Sequence, residues 1–427
     1  MKETGIVEEG QDERTTTLET ETISKADQYS HNLHLLHLSM TNLADQFLLS
    51  KDITYLNFGS FGACVKPVFD RYQAFQRELE TEPVQFITVN GLQYLAVSRE
   101  ALGKYINCDK DDLVYVTNPS YAVNAVAKSF PLKAGDEILT TNIEYGACDK
   151  TWDYYCKKAG AHYVRRPVTL PVRSKEELVA DFIKGMNEKT KLVFISHITS
   201  STGLRLPVEE ICKAAKEKGI LTFVDGAHAP GQLPLDIASS PFDLYTGACH
   251  KWMMAPKGCS FLYAKKEMQY MIDPLVVSWG YNAFFPSHSQ FLDYHQMNGT
   301  RDYSAFLAVP ACIEFMETHN WWKVAADCRR LVQDNATAFA KALGTTPLAP
   351  VTDDFILQLC SAEVRTTEPE KLHQHFFDEY KIQIPVSRHG GKAYLRYSIN
   401  AFNTQGHIDK LLDAIGEIRS KTNLIGG

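Results

Sequence analysis

From about residue 112 onward the chain repeats one pattern, a short apolar run followed by an amphipathic stretch, and few folds accept it. The runs at 113–117, 137–141, 191–197 and 221–225 read as buried strands, with weaker ones at 244–247 and 260–263. Helical patterns between them cover 121–130, 147–159, 175–187 and 208–218. The last follows Pro207 and stops at Gly219, sound start and stop signals. Strand, helix, strand in repetition predicts an α/β fold whose mainly parallel sheet is covered by helices on both faces.

After Pro274 the pattern turns irregular and aromatic through Trp279, Tyr281, Phe284, Phe285 and Phe291. One long helical stretch, 306–343, then leads to strands near 355–359 and 394–399 and a closing helix at 408–419. These form a smaller α+β unit. The expected division is a large domain over 35–285 and an interface segment with a small C-terminal domain over 286–427. Residues 1–34 are expected to be a mobile tail: residues 1–27 are acidic and lack the basic start and apolar centre of a signal peptide.

Composition excludes several partners. A formal net charge of −7, with no run of Lys and Arg, offers nucleic acid no basic field. No apolar run approaches the roughly 20 residues that span a bilayer. The 10 cysteines are scattered without metal spacing, so no metal site is expected and they read as reduced thiols of a cytoplasmic protein.

Chemistry concentrates between residues 221 and 252. A buried run ends at Asp225, followed by Gly226, Ala227 and His228. About 25 residues later a second run ends in His250 and Lys251, flanked by small residues. In open α/β sheets ligands sit at the carboxyl ends of strands. A lysine there loses solvation, which lowers its pKa and favours the nucleophilic amine. A strand-end aspartate alone is usually a cap or turn former, and a lone lysine a solvated surface group. Their conjunction carries the argument.

Val224-Asp225-Gly226-Ala227-His228-Ala229-Pro230-Gly231, followed by Gly247-Ala248-Cys249-His250-Lys251-Trp252, resembles the class V aminotransferase family of fold-type I pyridoxal 5′-phosphate (PLP) enzymes. Within that family the chain is most similar to the isopenicillin N epimerase-like branch. Further matching segments are Tyr55-Leu56-Asn57-Phe58-Gly59-Ser60-Phe61-Gly62, Ser196-His197-Ile198-Thr199-Ser200-Ser201-Thr202-Gly203 and Gly299-Thr300-Arg301-Asp302. The resemblance runs from about Tyr55 to the end. It implies PLP as cofactor, an amino-acid substrate and a homodimer with active sites at the interface. Lys251 would form the Schiff base with PLP and move the proton at Cα. Asp225 would pair with the pyridine nitrogen, keeping the ring an electron sink. His228 and Ser200 would lie near the cofactor's 3′ oxygen, and Tyr145 would stack on its ring. Ser120, Tyr121 and His250 would hold the phosphate at a helix N-terminus, joined by Thr300 from the partner subunit. Arg396 would bind the substrate α-carboxylate as a planar, bidentate donor, with Asn57 and Ser60 at the pocket mouth.

Three departures bear on specificity. Phe58 stands where many relatives carry histidine, Ala248 where they often carry Ser or Asn, and 85–89 lacks an arginine common in epimerase-like members. The segment 386–393 has no cysteine, which argues against desulfurase chemistry by the route that uses one there. The expected reaction is epimerisation or racemisation at Cα, with C–S β-elimination or transamination as alternatives and a catalytically silent binding protein as a remote one. Epimerisation needs a second proton donor, and Tyr145, His197 or water could serve.

Overall fold

The computed structural model describes residues 43–426. The segment expected as a tail, 1–34, and the residues up to 42 lie outside the described residues. In chain order the strands are β1 (Thr54–Tyr55), β2 (Leu113–Val116), β3 (Glu137–Thr141), β4 (His162–Arg166), β5 (Thr190–Ser196) and β6 (Leu221–Gly226). They continue as β7 (Leu244–Ala248), β8 (Ser260–Ala264), β9 (Leu359–Val364), β10 (Ile382–Gln383), β11 (Val386–His389) and β12 (Lys392–Ser398).

A seven-stranded sheet has the order β2-β8-β7-β6-β5-β3-β4. Only β8 runs against the rest, pairing antiparallel with both β2 and β7. The inner strands are buried on both faces, as Leu192, Val193, Phe194 and Ile195 of β5 illustrate. That is why they appear in the sequence as unbroken apolar runs. One strand escaped that signal. β4 is the outermost strand of the sheet, and His162 and Arg165 face solvent, so it never forms an apolar run.

The helix Pro119–Ser129 starts where β2 ends. Pro119 occupies its first turn, and the Asn118 side chain accepts the Tyr121 N–H at 2.8 Å. Gly146–Ala159 and Val208–Glu217 follow β3 and β5, the latter closing at Gly219 with φ +70°. Val126, Phe130 and Trp152 pack with Phe194 and Phe223 in one apolar core under the sheet.

A three-stranded antiparallel sheet, β11-β12-β9, forms the smaller C-terminal layer. β1 pairs in parallel with β10, Thr54 opposite Ile382, and Asn57 bridges to Ser398. The N-terminal segment is thereby fastened to the C-terminal strands.

Several expected elements shift. The stretch 306–343 is divided into Ser304–Leu307, Val309–Thr318 and Trp321–Ala342, with Asn320 in the left-handed region at φ 47° breaking the last two apart. The helix expected at 175–187 ends at Ile183. The strand expected at 355–359 begins only at Leu359, because Phe355, Ile356 and Leu357 are buried in a loop. Helices Lys66–Thr81 and Gly91–Ile106 had no counterpart in the sequence reading. Among the described residues no helix is long and apolar enough to cross a membrane, and no group of three or more His, Cys, Asp or Glu side chains could hold a metal ion. All ten cysteines are free thiols.

Candidate active site

Because β8 alone is reversed, β2, β3, β5, β6 and β7 all end on one edge of the sheet. A cavity of about 540 Å³ opens there, within the usual range for small-molecule sites. The strand ends supply Ser120, Tyr145, Ser196, Ser200, Asp225, His228, His250 and Lys251 to its wall, and the 57–62 segment supplies Ser60 and Phe61.

Lys251 follows β7 on a turn whose Met254 N–H returns to the Lys251 carbonyl at 3.1 Å. Its Nζ lies 3.2 Å from His228 Nε2. Burial pushes the ammonium down to about 8, partly offset by Asp225, while Arg396 adds to the depression. About a tenth of the side chain is therefore free amine at pH 7, against well under a thousandth for an ordinary lysine. Burial, reinforced by Lys251, Arg396 and His250, pushes His228 far below the usual histidine range, so its ring is neutral.

Asp225 closes β6 with a buried carboxyl. It accepts the Ala227 N–H at 3.0 Å and the Cys148 thiol at 3.6 Å. Burial raises its pKa, while the Ala227 N–H and Lys251 favour the anion. His250 donates through Nδ1 to the Cys259 carbonyl at 2.8 Å, leaving Nε2 as the ring nitrogen open to a ligand. Burial and then Lys251 push it down to about 4.

Arg396 is 4% exposed on β12, and among the described residues its hydrogen-bond partners are neutral oxygens. Nη1 donates to the Ser200 carbonyl at 2.5 Å, and Nη2 to Ser60 Oγ at 3.0 Å and Asn57 Oδ1 at 3.4 Å. Its Nε finds no acceptor among the described residues, and burial lowers the guanidinium to about 10. A buried cation ringed by neutral oxygens is a receptor short of an anion.

Of the residues singled out in the sequence, Ser60, Ser120, Tyr145, Ser200, Asp225, His228, His250 and Lys251 line the cavity. Arg396 and Asn57 stand immediately behind Ser60 and Ser200. Two do not line it. The Tyr121 hydroxyl accepts from Asn298 at 3.3 Å and its N–H is taken by Asn118. Thr300 is exposed away from it, and the neighbouring Arg301 turns inward to the His295 carbonyl at 3.3 Å. His197 faces the opposite side of the sheet from Ser196 and Ile198. Its Nδ1 lies 3.1 Å from the Tyr245 hydroxyl, and burial pushes it down to about 3. It has no path to the cavity as a proton donor. Phe58 is also buried elsewhere, packed 5.2 Å from the Trp252 ring.

Sequence reading missed three participants. Lys257 adds an ammonium to the cavity wall, and its signal was the Pro256-Lys257-Gly258 turn. Glu144, beside Tyr145, is a buried acid that accepts the Ser196 N–H at 2.9 Å and is pushed up to about 8, chiefly by burial. Trp252 donates its indole N–H to His228 Nδ1 at 3.2 Å.

This donor set fits PLP. Lys251 offers an amine for an aldehyde, and Asp225 a buried carboxylate for a ring nitrogen. Ser120 at a helix N-terminus, His250 and Lys257 offer a cradle for a phosphate.

The comparisons agree. The family model for Aminotransferase class-V matches residues 64–411. Isopenicillin N epimerase of Amycolatopsis lactamdurans is 32% identical, covering 88% of this chain and 98% of that protein. L-cysteine desulfhydrase of Arabidopsis thaliana is 28% identical, covering 86% and 88%. A solved C-DES mutant with glycine covalently linked to its PLP cofactor superposes with a TM-score of 0.76 at 22% identity, covering 88% of this chain and all of that one.

Proposed function

Because the chain belongs to the class V aminotransferase family and is a PLP-dependent enzyme, we propose that it acts at Cα of an amino acid as an epimerase or racemase similar to isopenicillin N epimerase. The observation that carries this reading is that two side chains able to exchange a proton, the Lys251 amine and the Tyr145 hydroxyl, open on one cavity. Inversion at carbon needs a base on one face and an acid on the other.

When bound, PLP supplies the electron sink that makes a Cα–H acidic. The protein's own groups do the rest. Arg396, its guanidinium held by Asn57, Ser60 and Ser200, would bind the α-carboxylate and orient the Cα–H toward Lys251. Lys251 Nζ takes the proton as a neutral amine. Tyr145, 46% exposed, returns one from the other side. Asp225 would hold its negative charge at the ring nitrogen, His228 and Ser200 would donate to the ring oxygen, and Ser120, His250 and Lys257 would surround the phosphate.

The reading extends to a homodimer in which Thr300 of one copy reaches the other copy's phosphate. The exposed Val277, Trp279, Phe284 and Phe285 supply apolar surface for that contact. The division at 285/286 and a cytoplasmic location, which suits ten free thiols, belong to the same proposal.

A second reading is C–S β-elimination from a cysteine derivative. It needs only one base and a leaving group, and the similarity to L-cysteine desulfhydrase favours it. A panel of amino acids in deuterated buffer separates the two. Cα deuteration with inversion on chiral chromatography supports epimerisation. Pyruvate and free thiol from cysteine derivatives refute it, and no turnover on the panel refutes both.

A further inference from the structure

Lys251, His228 and Trp252 form a chain of three nitrogen-bearing groups, each link 3.2 Å long. An indole N–H can only donate, so His228 Nδ1 facing it must present a lone pair. A neutral imidazole then carries its one hydrogen on Nε2, the atom facing Lys251. That hydrogen needs an acceptor, and an ammonium has none to offer. Only the neutral amine completes the chain.

We propose that Trp252 is a positioning residue that fixes His228 as the Nε2–H tautomer, so that His228 donates to Lys251 Nζ and keeps it an amine. The inference rests on the reading of Lys251 as the reactive lysine, and it concerns the free protein before cofactor is captured. Protonated His228 would turn an Nδ1–H against the indole N–H, two donors face to face. The opposite neutral tautomer would do the same at Nδ1 and would present its Nε2 lone pair to an ammonium. Of these two states the opposite tautomer is the one that favours a charged Lys251, while an imidazolium would set a second positive charge against it, and the indole disfavours both. Trp252 is fully buried and His228 is 2% exposed, so water cannot replace the missing partner cheaply. The backbone holds the ring as well: the His228 carbonyl accepts from Gln232 Nε2 at 2.7 Å.

Burial is the main cause of the depressed pKa values of both His228 and Lys251. The groups acting on the pair from other elements are Asp225 and Arg396, with His250 next to Lys251 and Cys148 facing Asp225. None of them changes when only the indole N–H is removed.

The test uses Trp252→Phe, which keeps an aromatic ring and removes the donor. Histidine-selective ¹⁵N NMR on the cofactor-free full chain reads the His228 tautomer directly, with His228→Gln assigning the signal. Competitive acetylation read by mass spectrometry gives the Lys251 pKa in the same sample. The wild type should show Nε2–H alone. In Trp252→Phe the Nδ1–H form should appear and the Lys251 pKa should rise by about one unit, the size of one hydrogen bond to a charged group. Amine reactivity at pH 7 then falls about tenfold. In the His228→Gln background the same Trp252→Phe change should leave the Lys251 pKa where it was, because an amide has no tautomer to lose. A wild-type Nδ1–H signal overturns the proposal even if the variant fails to fold. So does a variant with unchanged tautomer and unchanged pKa. A protein that keeps the Nε2–H tautomer but captures no PLP at Lys251 refutes the functional reading and leaves this one standing.

Discussion

Replacing Gly62 with alanine should displace Lys251 without altering any group that does chemistry. Gly62 has φ +63°, and a Cβ there would lie 2.3 Å from the His250 carbonyl oxygen, 2.7 Å from the Lys251 carbonyl oxygen and 2.8 Å from Lys251 Cα. Carbon and carbonyl oxygen rest about 3.3 Å apart, so one wall must retreat by about 1 Å. These neighbours are backbone, and no side-chain rotation relieves them. With ψ −176° the Gly62 backbone lies in a region almost reserved for glycine, which costs an alanine about 1–3 kcal/mol before any clash. Gly219, with φ +70° and nothing within 4 Å of its Cβ position, is a positive-φ control without the clash. Gly219→Ala should therefore lose about 1 kcal/mol in urea unfolding and keep its cofactor capture. Gly62→Ala should lose a further 1–3 kcal/mol or so from overpacking. Turnover should fall about a hundredfold, the usual consequence of a 1 Å misplacement at a reacting group. Urea midpoints and the rate of borohydride-trapped PLP on Lys251 measure both quantities. If the two variants match in stability and in trapping rate, the Phe58–Gly62 turn does not seat Lys251 and the reasoning is wrong.

Arg396→Lys keeps the charge and loses the planar fork, so KM for the amino acid should rise about tenfold to a hundredfold. PLP absorbance should stay unchanged, and loss of the cofactor band instead would place Arg396 elsewhere. Tyr145→Phe should abolish inversion while leaving Cα deuterium exchange from the Lys251 side. Retained inversion would assign the second proton to water. Acid should destabilise the fold through His197 and His295, which burial pushes down to about 3 and about 4. Above pH 6.5 neither the folded nor the unfolded chain protonates them, so this contribution is flat. Below that, the unfolded chain binds protons first and stability falls by about 1.4 kcal/mol per pH unit for each histidine. Urea midpoints that do not fall between pH 7 and pH 5 would contradict neutral, buried rings.

The parts of this molecule legible in the sequence are those where one residue's environment is set nearby. β5 and β6 announced themselves because both faces are buried, and Asp225 and Lys251 because one lies at the end of such a strand and the other just beyond one. β4 stayed hidden because an edge strand keeps polar side chains. His197 and Ser196 are neighbours, yet strand alternation sends one into the cavity and the other to Tyr245. A register error of one residue would have exchanged them. Arg396 was legible only through the family resemblance, since Ser60 and Ser200, distant in the chain, are what surround it. The Trp252–His228 contact was invisible for the same reason, as was the burial of Glu144. Thr300 belongs to neither class, because its proposed place requires a second copy of the chain.

The parallel pairing of β1 with β10, and the reach of Arg396 to Asn57 across 339 positions, have a consequence for how the protein is made. The segments that carry Asp225 and Lys251 leave the ribosome before Arg396, the proposed carboxylate receptor, has been made. For that interval a nascent chain can hold the pieces of a cofactor cradle with nothing to orient a substrate. Closing so long a loop is slow, so under the proposed roles completion of the last strands would be the step that turns a reactive lysine into a selective one.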